Sequence, residues 1–145
     1  MTTRVLILGG TFEARKLADA LELDQSFEPL LSLAGATEQP EDGKSKRRVG
    51  GFGGADGLAQ ALRGFDLLVA ATHPFAARMS ANAAAAALAS GIPRLVFLRA
   101  PWPEKPGWQH AKTAAEAMAA LPPGARVFWA AGRQAFATAA ARTDV

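Results

Sequence analysis

The sequence RVLILGGTFEA, residues 4–14, has the pattern of a buried strand, a glycine turn and the start of a helix. The apolar run within Arg4–Leu8 is typical of a strand that is covered on both faces. Gly9 and Gly10 permit a tight turn, and Thr11 begins the predicted helix. In an open parallel sheet such a turn lies at the carboxyl edge, where its amides can hold a phosphate group. The pattern therefore predicts a phosphate-binding turn formed by Gly9, Gly10 and Thr11.

This turn is an incomplete form of the dinucleotide-binding fingerprint G-x-G-x-x-G. Thr11 and Ala14 stand where the second and third glycines would be, although Ala14 is small enough for a helix to pack closely on a strand. A tight turn without a ligand is the alternative interpretation. We expect a phosphate-bearing dinucleotide at this position.

Short strand-like runs alternate with alanine-rich helical stretches along the chain, a pattern typical of a parallel sheet with helical crossovers. The predicted strands are Arg4–Leu8, Phe27–Ala34, Asp66–Ala71, Arg94–Leu98 and Arg126–Ala130. The predicted helices run from Thr11 to about Leu23, from about Ala55 to Arg63, from about Ala76 to Ser90, from about Thr113 to Leu121, and onward from near Gln134. We therefore expect one α/β domain over residues 1–145. Its fold would be a doubly wound, mostly parallel, five-stranded Rossmann-like sheet with helices on both faces.

The composition excludes several kinds of site. The chain has no Cys and two His, so thiolate and His-rich metal sites are excluded and no metal is expected. The net charge is +3, and basic residues cluster between Lys44 and Arg48, as in a solvated loop or a site for a polyanion. Nucleic acid is not an expected partner, because no aromatic residues are interleaved with these charges. Without a signal peptide or a membrane-spanning apolar stretch, the expected location is the cytoplasm, with no membrane partner.

The end of the second predicted strand bears on the choice of cofactor. An NAD site usually has an acidic residue about twenty positions after the glycines, and Leu31–Gly35 contains none. Ser32 could donate a hydrogen bond to a 2′-phosphate, which the basic cluster 44–48 could neutralise. These features favour NADPH as the cofactor.

The run VGGFGG, residues 49–54, places four glycines around one phenylalanine. A backbone of this kind can approach a flat ligand closely, so we predict that Gly51, Phe52 and Gly53 contact the cofactor. A flexible connector is the alternative, but a connector does not require a phenylalanine.

The third predicted strand leads into Thr72, His73 and Pro74. Thr72 and His73 would project from the same carboxyl edge as the first glycine turn, as a cofactor contact and a candidate catalytic residue. Histidine can donate a proton near neutral pH or a hydrogen bond to a carboxylate, but a structural role for His73 is equally open.

Further polar residues follow the third and fifth predicted strands. Arg78 and Asn82 lie four residues apart on one face of the next predicted helix, whereas Ser80 lies on another face. Arg133 follows the fifth strand, where its guanidinium could bind a carboxylate or phosphate in a bidentate fork. A solvated arginine at the start of a helix is the alternative for Arg133.

Taken in order, these blocks resemble the precorrin-6A reductase family of cobalamin biosynthesis. Their order and approximate spacing agree over nearly the whole chain, and the Gly-Gly-Phe-Gly-Gly and Thr-His-Pro-Phe-Ala pair is the most specific part. The blocks are residues 7–11 with 13–14, 32–35, 49–54, 71–76, 80–83, 101–102 and 132–134.

The resemblance implies an oxidoreductase in which NADPH delivers a hydride to a double bond of precorrin-6A, or of its cobalt-containing counterpart. The substrate would be a tetrapyrrole with many carboxylates, to which the basic loops could bind. His73, Arg78, Ser80 and Asn82 would then contact the substrate, and Arg133 the cofactor. The alternative is a nucleotide-binding or regulatory module without catalytic activity.

Two departures from the family pattern bear on these expectations. Family members often carry an Arg directly after the Ser-Leu-Ala-Gly stretch, whereas this chain has Ala36. The family also has a second α/β domain after Gly-Arg-Gln, a motif that lies near residue 134 here. The chain would therefore be the amino-terminal part of such an enzyme, completed by a second domain or by another chain.

Overall fold

The computed structural model describes residues 1–34, 45–74, 76–100, 103–131 and 135–144. It divides the chain into two compact units, residues 1–101 and residues 102–145.

The first unit is built on a five-stranded sheet in the order β3-β2-β1-β4-β5. All four strand pairings are parallel. The strands are β1 (Thr3–Leu8), β2 (Phe27–Leu33), β3 (Arg47–Val49), β4 (Leu67–Ala70) and β5 (Arg94–Val96). The chain passes from β1 to β2 on one side and later returns to β4 on the other, so the strand order reverses at the carboxyl end of β1. In open α/β sheets a crevice for ligands forms at such a reversal.

Among the described residues of this unit, three helices cover the sheet: α1 (Phe12–Glu22), α2 (Ala55–Leu62) and α3 (Ala77–Ser90). Leu6 and Leu8 pack in one buried cluster with residues of α2 and α3. Val5 and Ile7 pack in a second cluster with Ala14 and Ala18 of α1. Alternate residues of a strand point to opposite faces, so helices lie on both faces of the sheet. The doubly wound Rossmann-like fold is confirmed.

The alanine run of α3 allows a close approach to its neighbours. Ala83, Ala86 and Ala87 are buried at the spacing of a single helix face. Gly91 ends the helix with φ +69°, in the left-handed conformation that favours glycine at this position.

The fifth strand is not the one that the sequence predicted. The described residues around Arg126–Ala130 form no strand, whereas Arg47–Val49, predicted to lie in a loop, pairs with β2 as β3. A strand forms only where a neighbouring strand pairs with its backbone, so the β-branched and aromatic side chains at 126–130 are not sufficient to make one. β3 is only three residues long and carries two arginines at the sheet edge, so it lacks the apolar pattern of a buried strand.

The second unit contains two short helices among its described residues, α4 (Ala114–Ala119) and α5 (Phe136–Ala140). The Thr113 hydroxyl accepts a hydrogen bond from the Glu116 amide and caps the start of α4. At its other end, the Arg142 guanidinium donates to the carbonyls of Met118 and Leu121. None of the helices in the described parts of the chain is long and apolar enough to cross a membrane.

Candidate functional site

The two glycines of the β1–α1 turn have different structural roles. Gly10 has φ +129°, and a Cβ built there would meet nothing within 4 Å. Its backbone therefore borders open space on which a ligand can rest. At Gly9, by contrast, a Cβ would lie 2.6 Å from Leu31 Cδ1, and the Gly9 amide donates to the Ser32 carbonyl at 2.9 Å. Gly9 is therefore required for packing against β2.

The Thr11 hydroxyl joins this turn to β4. It accepts a hydrogen bond from the Ala14 amide at 3.1 Å, which caps α1. The same hydroxyl donates to the Ala71 carbonyl at 3.1 Å. Its only proton is therefore already used, so Thr11 positions the start of α1 beside the end of β4.

A cavity of about 200 Å³ opens at this edge of the sheet. Its lining residues are Gly10, Thr11, Phe12, Glu13, Thr72, His73, Pro74, Phe97 and Arg99. The cavity thus brings together two predicted groups, the first glycine turn and the Thr72–His73 pair. Thr72 is half-buried and His73 is exposed. This arrangement follows from the pairing of β1 with β4, because carboxyl ends of neighbouring parallel strands meet at one edge.

Sequence reasoning missed Phe97 and Arg99 on the β5 side of the cavity. The Phe97 amide donates to the Ala70 carbonyl at 2.9 Å and extends the pairing of β5 with β4. Arg99 Nη1 lies 3.8 Å from a carboxylate oxygen of Glu13. Phe97 lies near the carboxyl end of the predicted strand Arg94–Leu98, and Arg99 directly follows that strand. This placement was the signal that could have identified them.

A second cluster surrounds Arg48 at the carboxyl ends of β2 and β3. Its guanidinium donates to Ser32 Oγ at 3.1 Å and to the Gly51 carbonyl at 3.3 Å. It also stacks on the Phe52 ring, 3.9 Å from the ring centroid. Ser32 is 5% exposed, so the serine is a firm anchor for this arginine. The structure thereby brings predicted residues from two separate blocks into one cluster.

The loop that carries Phe52 is shaped by glycines. Gly50, Gly53 and Gly54 all have positive φ. Gly57, in the first turn of α2, was not predicted to matter. A Cβ there would lie 1.7 Å from the Phe52 carbonyl oxygen, so only glycine lets this loop lie so close to the helix.

The remaining predicted site residues are not gathered at the cavity. Arg78, Ser80 and Asn82 lie on α3 and do not line it. Arg78 and Ser80 are exposed, and Asn82 is half-buried. Arg133 lies outside the described residues.

Known proteins resemble this one over nearly the whole chain. The family model for precorrin-6x reductase CbiJ/CobK matches residues 4–145. A precorrin-6A reductase of Rhodobacter capsulatus is 49% identical over 137 residues, covering 91% of this chain and 54% of the relative. The chain therefore spans about half the length of the curated relatives that it matches.

Solved structures show the same relationship. The structure of CobK precorrin-6A reductase matches with a TM-score of 0.77 and 48% identity, over 84% of this chain and 49% of that chain. A Rossmann-fold NAD(P)-binding family protein from Shigella flexneri matches with a TM-score of 0.52 and 27% identity, over 67% of this chain and 51% of that chain. The resemblance seen in the sequence blocks is confirmed, and the chain belongs to the precorrin-6x reductase family, CbiJ/CobK.

Proposed function

We propose that this chain forms the NADPH-binding part of an enzyme that reduces a double bond of precorrin-6A in cobalamin biosynthesis. The observation that carries the proposal is the pair of sites on either side of β1, the cavity beside β4 and β5 and the Arg48 cluster beside β2 and β3. A dinucleotide in this fold lies across the strand reversal, with one half on each side. The relatives' name, precorrin-6A reductase, supports the substrate.

The β1–α1 turn fits the pyrophosphate of such a cofactor. Open space over Gly10 lets a phosphate approach the backbone, and α1 offers the amides of its first turn. The helix dipole adds a partial positive charge there. Description of a neighbour as an NAD(P)-binding family protein supports a nicotinamide cofactor in general.

Arg48 supports NADPH over NADH. A guanidinium has five N–H donors, and the bonds to Ser32 and Gly51 use two of them. The stack on Phe52 holds the group in one orientation, so its charge is ready for a 2′-phosphate beside β2. Residues 31–34, at the carboxyl end of β2, include no acidic residue that would repel that phosphate.

On the other side of β1, NADPH would supply the hydride when bound. The Phe97 and Pro74 side chains would exclude water from that part of the cavity, and Thr72 would contact the cofactor. His73 would donate a proton to the macrocycle or orient it. Binding roles also stay predictions for Arg78, Ser80, Asn82 and Arg133. The same holds for the location in the cytoplasm and for completion of the enzyme by a second domain. The comparisons give no support to the regulatory alternative.

Calorimetric titration with NADPH and NADH tests this proposal. We expect the wild-type chain to bind NADPH more tightly than NADH. Arg48→Ala should lower the affinity for NADPH by about 10- to 100-fold, because a hydrogen bond to a charged group contributes roughly 1.5–3 kcal/mol. NADH affinity should change little. Arg47→Ala is the matched control, because neighbouring residues of a strand point to opposite faces. Equal affinities of the wild-type chain for the two cofactors would contradict the NADPH assignment.

A further inference from the structure

We propose that Arg99 binds an anionic oxygen group of the ligand in the cavity, exchanging its contact with Glu13 for that group. The proposal rests on the function proposed above, and it adds a binding residue that neither the sequence blocks nor the relatives' names assign. The group is either the pyrophosphate of the dinucleotide or a carboxylate of the tetrapyrrole, since both present paired oxygens that suit a guanidinium fork.

The position of Arg99 follows from the extended chain after β5. Alternate residues of an extended segment point to the same side, and Phe97 and Arg99 both line the cavity whereas Leu98 does not. The arginine therefore lies on the same side of the chain as the Phe97 ring, and its contact with Glu13 brings it to the first turn of α1. A charged fork is thereby placed in the cavity near the proposed phosphate site.

The contact with Glu13 is suited to exchange. The two charged groups are 3.8 Å apart, and their side chains are 46% and 31% exposed. Exposed ion pairs of this kind contribute little to stability, so opening the pair costs little. A bidentate bond to an anion in a partly enclosed cavity is stronger than a loose pair in solvent.

Glu13 also lines the cavity. Its carboxylate lies in the first turn of α1, where the helix dipole favours it in the free protein. The same carboxylate would repel an incoming anion at that helix terminus. Pairing with Arg99 neutralises it before the ligand arrives, and the ligand then competes with Glu13 for the arginine.

The exchange predicts opposite effects for the two partners. Arg99→Ala should weaken binding of the ligand by about 10- to 100-fold, because an anion loses a charged hydrogen-bond partner. Glu13→Gln should tighten the same binding several-fold, because the competing and repelling charge is gone. If the ion pair only supported the fold, both substitutions would weaken binding of the ligand.

The experiment is calorimetric titration of the wild-type chain and the variants with NADPH, and with precorrin-6A in the presence of NADP⁺. If Arg99→Ala lowers the affinity for NADPH alone, the anion is the pyrophosphate. If it lowers the affinity for precorrin-6A alone, the anion is a carboxylate. Arg94→Ala is the matched control, since it removes the same charge at the opposite, amino end of β5. Arg99→Gln serves as the second variant, and thermal unfolding of each protein verifies the fold.

The inference is overturned if Arg99→Ala and Arg99→Gln bind both ligands like the wild type. It is also overturned if Glu13→Gln leaves binding unchanged or weakens it. Failure of the wild-type chain to bind NADPH would instead contradict the proposed function, so the two failures are distinguishable.

Discussion

Gly10 and Gly9 are adjacent in the sequence, but different physical constraints require them. Gly9 has no room for a Cβ because of Leu31, whereas Gly10 has room but a backbone conformation, φ +129°, that L side chains rarely adopt. Replacement of either glycine is therefore unfavourable, for steric reasons at Gly9 and for conformational reasons at Gly10.

Gly10→Val should abolish NADPH binding, because its branched side chain would fill the space over the turn. The strained φ should also lower the free energy of unfolding by about 1–3 kcal/mol. Gly10→Ala is the control, since it adds similar backbone strain with less bulk. Titration with NADPH and urea unfolding of both variants separate the two effects. Normal NADPH affinity in Gly10→Val would show that this turn does not hold the phosphates.

His73→Ala should lower the rate of precorrin-6A reduction while leaving NADPH affinity nearly unchanged. If His73 donates the proton, we expect a loss of about a hundred- to ten-thousandfold, the usual contribution of one acid–base group. Single-turnover rates should be measured in a form of the protein that reduces precorrin-6A, with NADPH affinity measured alongside. A loss of only a few-fold would point to positioning of the macrocycle, and full activity would remove His73 from the site.

The junction of α1 with β4 depends on the Thr11 hydroxyl, which bonds to both elements. Thr11→Val has nearly the same shape but removes both bonds. Loss of the helix cap should lower the free energy of unfolding by about 1 kcal/mol, and NADPH should bind more weakly because the start of α1 is no longer held. Thr11→Ser keeps the hydroxyl and should restore both properties. Urea unfolding and NADPH titration measure them, and a fully stable Thr11→Val would contradict this role.

The end of α4 depends on Arg142, which Asp144 holds with hydrogen bonds of 2.9 and 2.6 Å. These bonds lower the pKa of the Asp144 carboxyl below its ordinary value. A carboxyl whose pKa is lower in the folded than in the unfolded state stabilises the fold above its unfolded-state pKa. That stabilisation is lost as the pH falls through the folded-state pKa.

Asp144→Asn should therefore be less stable than the wild type at neutral pH and should approach it in acid. Thermal unfolding midpoints of both proteins between neutral and acidic pH measure this convergence. The pKa of Asp24 is also lowered, by hydrogen bonds from Ser26, so both proteins should still lose stability in acid. A difference that does not depend on pH would show that Asp144 does not act through its charge.

Across the first unit, the described site residues lie at the carboxyl ends of all five strands, which the parallel sheet gathers at one edge. A ligand that joins them should stabilise the folded state as a whole. NADPH at a hundred times its dissociation constant should raise the free energy of unfolding by about 2.7 kcal/mol. NADH at that same concentration should give a smaller rise if Arg48 recognises the 2′-phosphate. Thermal unfolding with each cofactor checks this, and equal stabilisation by the two would contradict it.

The features that depend on local patterns could be predicted from the residues alone. The apolar run of β1 with the glycines after it predicted the strand, turn and helix, because burial and turn formation depend on neighbouring residues. The alternation of strand-like and alanine-rich stretches predicted the doubly wound class, and the ordered blocks predicted the family. The placement of Thr72 and His73 near Gly10 also followed, because parallel strands share an edge.

Which residues meet across long sequence separations depends instead on the three-dimensional arrangement of the strands. β3 is a strand because β2 offers it backbone partners, whereas the described residues at 126–130 have the side chains of a strand but do not form one. Arg99 reaches Glu13, and Arg48 reaches Ser32, through the order of the strands rather than through spacing. The need for glycine at position 57 likewise arises from the approach of Phe52 to α2. Such contacts depend on the path of the chain in space, and no local pattern of residues encodes them.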